Sequence, residues 1–140
     1  MHITECLKCI LGMKLIVNET TEIKIHANCK WNSTQIEISE SEEYEFTSKG
    51  IWRDLTITTD ADGYSSFYMK LFDAIKRAKE YKWFSLVGSL STKRNEYFLI
   101  GKNNKIAFEK SGSLLCFAND ITGFYWNNSG YITLHITRVK

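Results

Sequence analysis

The chain has 140 residues, 44% hydrophobic and 24% charged, with a formal net charge of +2. This composition predicts one domain, 1–140, large enough to bury its own core, and excludes global disorder. The near-balanced charge argues against nucleic acid as a partner, and no apolar run approaches the roughly 18 residues that a membrane-spanning helix needs. The start, Met1 to Glu5, has no basic n-region, so no secretory signal is predicted and the chain reads as cytoplasmic as synthesised.

Short apolar–polar alternations dominate, and a period of two is the signature of a half-buried strand. In chain order these runs are Glu22 to Ala27, Gln35 to Ile38, Glu43 to Thr47 and Leu55 to Thr58. Next come Trp83 to Leu90, Glu96 to Ile100, Lys105 to Phe108, Ser113 to Ala118 and Tyr131 to Val139, the last with Ile132, Leu134 and Ile136 on its buried side. The chain has no proline, so its turns fall to Gly, Asn, Asp and Ser. They are expected at Ser48 to Gly50, Asp60 to Gly63, Gly101 to Asn104 and Ser111-Gly112. Many short strands so punctuated predict an all-β, jelly-roll-like antiparallel β-sandwich.

One segment departs from the period of two. Phe67, Leu71, Ala74, Ile75 and Ala78 recur at helical spacing, which predicts one inserted amphipathic helix over about 67–82, covering an edge or end of the sandwich. Lys70, Lys76, Arg77, Lys79 and Lys82 make a basic run there. It reads as a solvated helix face, with contact to acidic glycans or nucleic acid as the sharper alternative.

Cys6 and Cys9 form a lone C-x-x-C, while Cys29 and Cys116 stand singly. A zinc site would need a second pair, and a redox motif a strand before and a helix after, so ordinary reduced cysteines are expected. Asp60 to Gly63 resembles part of an EF-hand loop, but Met69 stands where the bidentate Glu would fall, so it reads as a turn. His2, His26 and His135 are scattered, and Glu40, Glu42 and Glu43 read as a solvent-facing acidic rim. No nucleophile with a nearby base can be assembled from local motifs, so a binding module is expected rather than an enzyme.

The stretch Phe117 to Gly130 carries the most chemistry. It places Asn119, Asp120, Asn127 and Asn128 between two predicted strands. Such a loop is a way to hold a hard cation such as calcium, which takes six to eight oxygen ligands. The same residues also form ordinary turns. Of Tyr125 and Trp126, which could stack on a ligand, one is expected to face the core, because neighbours on a strand point opposite ways.

Asn119-Asp120, a short turn from Ile121 to Phe124, aromatic Tyr125, then Asn127-Asn128-Ser129-Gly130 and a final strand: this order resembles the small bacterial calcium-dependent galactose-binding lectins, the PA-I-like galactophilic family. Phe84 to Leu90, Ile100-Gly101 with Phe108 and Gly112, and Gly50 to Asp54 fit the same pattern. The likeness covers 14–140 as a pattern and is specific within 112–136.

The resemblance implies a compact jelly roll that binds calcium, and through it galactosides or other glycans. It implies calcium held by the side chains of Asp120, Asn127 and Asn128, with backbone carbonyls from Phe124 and from the stretch Trp52 to Leu55, at Asp54. Sugar contacts would come from Asp120, Asn127, Asn128, Ile121, Phe124, Asp62 and Tyr64. Weak single-site binding of this kind calls for several sites on a homo-oligomer, and a family of this type can reach the cell surface without a signal. Phe124 and Trp126 are larger than the residues usual at their places. The family's histidine contact has no counterpart, Asp60 to Tyr64 standing in that region, and 67–81 is an insertion. The second reading is a β-sandwich protein-interaction module that has lost the metal and sugar site. The third is a small enzyme whose active residues meet only in the fold.

Overall fold

The computed structural model describes residues 12–140. Ten strands form two antiparallel sheets. The longest, β10 (Asn128–Arg138), is the spine of the larger sheet. It pairs with β1 (Thr20–His26), β3 (Glu43–Lys49) and β4 (Trp52–Asp54). Outward from these, β5 (Ile57–Thr59) joins β4 and β8 (Asn103–Ala107) joins β3. The smaller sheet runs β2 (Asn32–Ile38), β9 (Gly112–Ala118), β6 (Leu86–Ser89) and β7 (Phe98–Leu99). This is the expected all-β sandwich.

The core lies between the sheets. Ile132, Leu134 and Ile136 of β10 are fully buried, as their alternation predicts, against Tyr44 and Phe46 of β3 and Leu114 and Cys116 of β9. In β2 the register shifts between Ser33 and Glu37, where Gln35 adopts a left-handed φ of 63°. The Thr34 hydroxyl donates to Leu114 O at 2.8 Å across this bulge and restores a link between the strands.

The inserted segment differs from the amphipathic helix expected over 67–82. It is a 3₁₀ helix, Tyr68–Ile75, none of whose residues is buried. Leu71 is 88% exposed and Phe67 80%. At three residues per turn, positions i and i+4 no longer stack, so the apolar stripe never closes onto the sandwich. The helix stops because Lys76 turns extended (ψ 139°) to make a bridge with Ile121, and this tertiary pairing overrides local propensity. Packing begins only beyond the helix, where Ala78 and Tyr81 cover Val87 and Phe117 on the outer face of the smaller sheet.

Three further expectations change. Leu55-Thr56 is the turn of the β4–β5 hairpin rather than the start of a strand, with Leu55 at φ 55°. Glu42 is buried, not part of a solvated rim. It accepts from Tyr44 Oη at 2.6 Å and the Ser39 N–H at 3.1 Å, and is ion-paired with Lys14. Cys29 is disulfide-bonded rather than reduced, whereas Cys116 is free and buried. Sequence spacing carries no information on such pairing. Cys6 and Cys9 lie outside the described residues.

Candidate functional site

The connection from β9 to β10, 119–127, is pinned at both ends. Asn119 is fully buried and acts as a clasp on the inserted segment. Its Oδ1 accepts the Ala78 N–H at 2.9 Å, and its Nδ2 donates to the carbonyls of Ala78, Tyr81 and Lys82 at 2.9, 3.2 and 3.0 Å. At the other end Tyr125, on a 3₁₀ turn (Thr122–Asn127), is buried. Its hydroxyl donates to Ala118 O at 2.7 Å and accepts from Arg77 Nη1 at 2.7 Å. Arg77 N donates to Asp120 O at 3.1 Å, so the segment 76–77 runs against this loop.

These anchors place Asp120 against Asn128. Asp120 is 3% exposed. Its Oδ1 accepts the Ile121 N–H at 2.7 Å and its Oδ2 accepts from Asn128 Nδ2 at 2.9 Å. Asn128 gives its other amide hydrogen to Ala27 O at 3.1 Å. Burial pushes the Asp120 carboxyl up to about 6, against the two hydrogen bonds it accepts, and the charge of Asp54 adds to the rise.

β4 supplies the opposite side. Asp54 stands across from Asn128 in the ladder, and the Leu55 N–H donates to Asn127 O at 3.3 Å. Tyr64 Oη donates to Asp54 Oδ2 at 2.5 Å. Burial, together with Asp54 and Asp120, raises the phenol above its ordinary range, so it stays a donor. Gly63 makes this approach feasible. It sits at φ 76°, and a Cβ there would fall 2.3 Å from Trp83 O and 2.5 Å from Ser85 N. The Tyr64 N–H then bonds Trp83 O at 2.8 Å.

Among the described residues, three buried side-chain polar atoms have no hydrogen-bond partner, and two of them are Asn127 Oδ1 and Asn128 Oδ1. Leaving a buried acceptor unsatisfied costs about 1–3 kcal/mol. Asn128 Oδ1 belongs to an oxygen-rich nest with the buried Asp120 carboxyl and, across the ladder, Asp54, and Arg77 partly offsets their charge at Asp120. The donor set fits a hard cation. Its donors are oxygens, the ligand type such a cation takes, and it contains two carboxyl groups, Asp120 and Asp54, short of a cluster of three acidic, His or Cys side chains, of which none is found among the described residues.

The fold has a solved counterpart. The chain is similar to a structure described as the EclA N-terminal domain, a PllA-like lectin, with a TM-score of 0.65 and 18% identity over 84% of this chain and 94% of that one. At that identity the likeness speaks for the fold. No protein-family model matches the chain, and no curated protein matches it.

The remaining predicted residues lie around the nest or away from it. Phe124 is half-exposed on the 3₁₀ turn, its N–H on Ile121 O at 3.0 Å, and Ile121 is half-buried. Asp62 is exposed, and its Oδ1 accepts the Lys102 N–H at 2.9 Å. Asp60 to Gly63 is the expected turn, closed by Gly63 N to Asp60 O at 3.1 Å. Of the two aromatic candidates, Tyr125 faces inward and Trp126 is 77% exposed.

The basic run is not one solvated face. The Arg77 guanidinium lies 3.5 Å from the ring centre of Phe117 and 4.4 Å from that of Trp31, and donates to Lys30 O at 2.6 Å. Lys76 is buried beside Trp83.

Proposed function

We propose that this protein is a calcium-dependent carbohydrate-binding module for galactose-type sugars. The observation that carries the reading is the unpartnered carboxamide oxygen of Asn128, whose amide is bonded to buried Asp120, with a second unpartnered oxygen on the adjacent Asn127. Calcium would be held by the side chains of Asp120, Asn127 and Asn128 and by backbone carbonyls of Phe124 and Asp54. When bound, the ion polarises two adjacent sugar hydroxyls. Asp120 accepts a hydroxyl proton, and the carboxamides orient the hydroxyl oxygens. Tyr64 holds the Asp54 carboxylate and so fixes the end of β4. The exposed rings of Trp126 and Phe124 offer apolar surface to the C–H face of the sugar.

With few carboxylates, calcium affinity falls in the range of roughly micromolar to millimolar. A single sugar binds at roughly −4 to −6 kcal/mol, and avidity then rests on a homo-oligomer. The nest provides positioning without an acid–base pair, in keeping with binding rather than turnover. Glycan ligands of this kind lie outside cells, so the reading carries release to the cell surface with it.

Calorimetric titration of a galactoside, with calcium and after chelation, tests the proposal. Heat that appears only with calcium supports it. Equal heat in both conditions, or none in either, contradicts it. The second reading, a protein-interaction sandwich, is favoured by one observation, the uncovered side chains of Phe67, Tyr68 and Leu71.

A further inference from the structure

The inserted segment and the stretch 64–67 line a cavity of about 340 Å³ that Tyr64 joins to the oxygen nest. Four lysines line it, Lys70, Lys76, Lys79 and Lys82, against two acids, Asp73 and Glu80. Asp73 is already engaged, since its Oδ1 accepts Trp83 Nε1 at 2.8 Å and lies 3.6 Å from Lys76 Nζ. Lys76 is 6% exposed, and its ammonium lies 5.1 Å from the Trp83 ring centre and is paired with Asp73. Among the described residues Lys70, Lys79 and Lys82 form no ion pair. A partly enclosed space therefore carries three cationic side chains without an ion pair beside the buried Lys76–Asp73 pair, which is a setting for an anion.

Two connections place this cavity next to the proposed sugar site. Tyr64 lines it and also donates to Asp54. Lys76 pairs in a bridge with Ile121, the residue after Asp120. Phe67 presents an exposed ring among the lining residues.

We propose that this cavity is a subsite for the anionic unit of an acidic glycan, a sugar bearing a sulfate or a carboxylate, joined to the neutral sugar held at the nest. The proposal rests on the carbohydrate reading above and names its substrate class. Glycan is favoured over nucleic acid because the cavity holds only four lysines, on a chain with a net charge of only +2. A backbone-tracking site needs a longer basic stripe.

The test titrates lactose, 3′-sulfated lactose and 3′-sialyllactose into the protein with calcium, at low and high salt. It is repeated with the exposed-lysine variant Lys70→Gln/Lys79→Gln/Lys82→Gln. The sulfate and carboxylate ligands are expected to bind about tenfold tighter than lactose at low salt. High salt and the variant should both erase that advantage, with lactose binding unchanged. The better of the two charged ligands identifies the group preferred. Equal binding of charged and neutral sugars to the wild type overturns this proposal and leaves the carbohydrate reading intact. No binding of any of the three with calcium overturns both. Binding of single-stranded DNA as tight as that of the sulfated sugar, unaffected by Asp120→Ala, makes the cavity a general polyanion site and overturns the proposal too. Salt dependence in the wild type decides the matter even if the variant folds poorly.

Discussion

Asn128 gives one amide hydrogen to Asp120 Oδ2 at 2.9 Å and keeps its own Oδ1 buried without a partner. The Asp120 carboxylate and Ala27 O thus take both amide hydrogens and fix the amide, while its acceptor end stays unsatisfied. A neutral turn would have no reason to bury an acceptor this way, because water or a backbone N–H would satisfy it at lower cost.

Asp120 makes the metal-free protein sensitive to pH. Its folded pKa of about 6 lies above the ordinary value of 3.8, so the folded state binds the proton more tightly than the unfolded one. The stability this contributes is complete below pH 3.8 and is lost as pH rises through about 6. Calcium should offset that loss. Its thermal stabilisation is expected to be larger at pH 7.5 than at pH 5, reaching about 2.7 kcal/mol at a hundredfold excess over Kd. Differential scanning calorimetry at both pH values checks this, and a calcium effect that grows on acidification would contradict it.

Glu42 has the opposite sign. Burial alone would raise its pKa, but Lys14, Tyr44 and the Ser39 N–H hold the carboxyl down at about 2, below the ordinary 4.5. Its stabilisation is present above pH 4.5 and is lost as pH falls toward about 2. Glu42→Gln should cost on the order of 2–3 kcal/mol at pH 7 and much less at pH 2.5. Urea unfolding of both proteins at the two pH values measures the difference.

Asn119→Ala removes the clasp on residues 78–82. The stranded backbone groups should cost about 2–4 kcal/mol. The segment should then become accessible to limited proteolysis before the sandwich unfolds. Cleavage no faster than in the wild type would show that Arg77 and Tyr81 suffice to hold it.

Gly63→Ala forces a methyl group onto Trp83 O and Ser85 N at a left-handed φ. The expected cost is at least about 2 kcal/mol. Displacement of Tyr64 should also weaken calcium binding. Tyr64→Phe, which removes only the hydroxyl bonded to Asp54, separates the two effects, because it keeps the backbone and loses the hydrogen bond.

The sandwich was legible because β1, β3 and β10 each bury one face, and burial of alternate residues writes a period of two into the sequence. The nest was legible in part. Asp120, Asn127 and Asn128 lie within one loop, but Asp54 and Tyr64 reach it only through the β4–β10 ladder and the turn at Gly63, and the sequence pattern does not encode that pairing. The inserted segment misled for a physical reason. Helical spacing of Phe67, Leu71 and Ile75 predicts a buried stripe only if the chain stays α-helical, and the bridge from Lys76 to Ile121 ends the helix early. Asn119, in the same oxygen-rich stretch, spends its amide on the backbone of 78–82.

The most direct measurement is calorimetric titration of calcium into chelator-treated protein, wild type against Asp120→Ala, with no sugar present. The account predicts one site of roughly micromolar to millimolar affinity in the wild type and none in the variant, with near-ultraviolet circular dichroism unchanged. Absence of calcium binding in the wild type, or equal binding by both proteins, would contradict it.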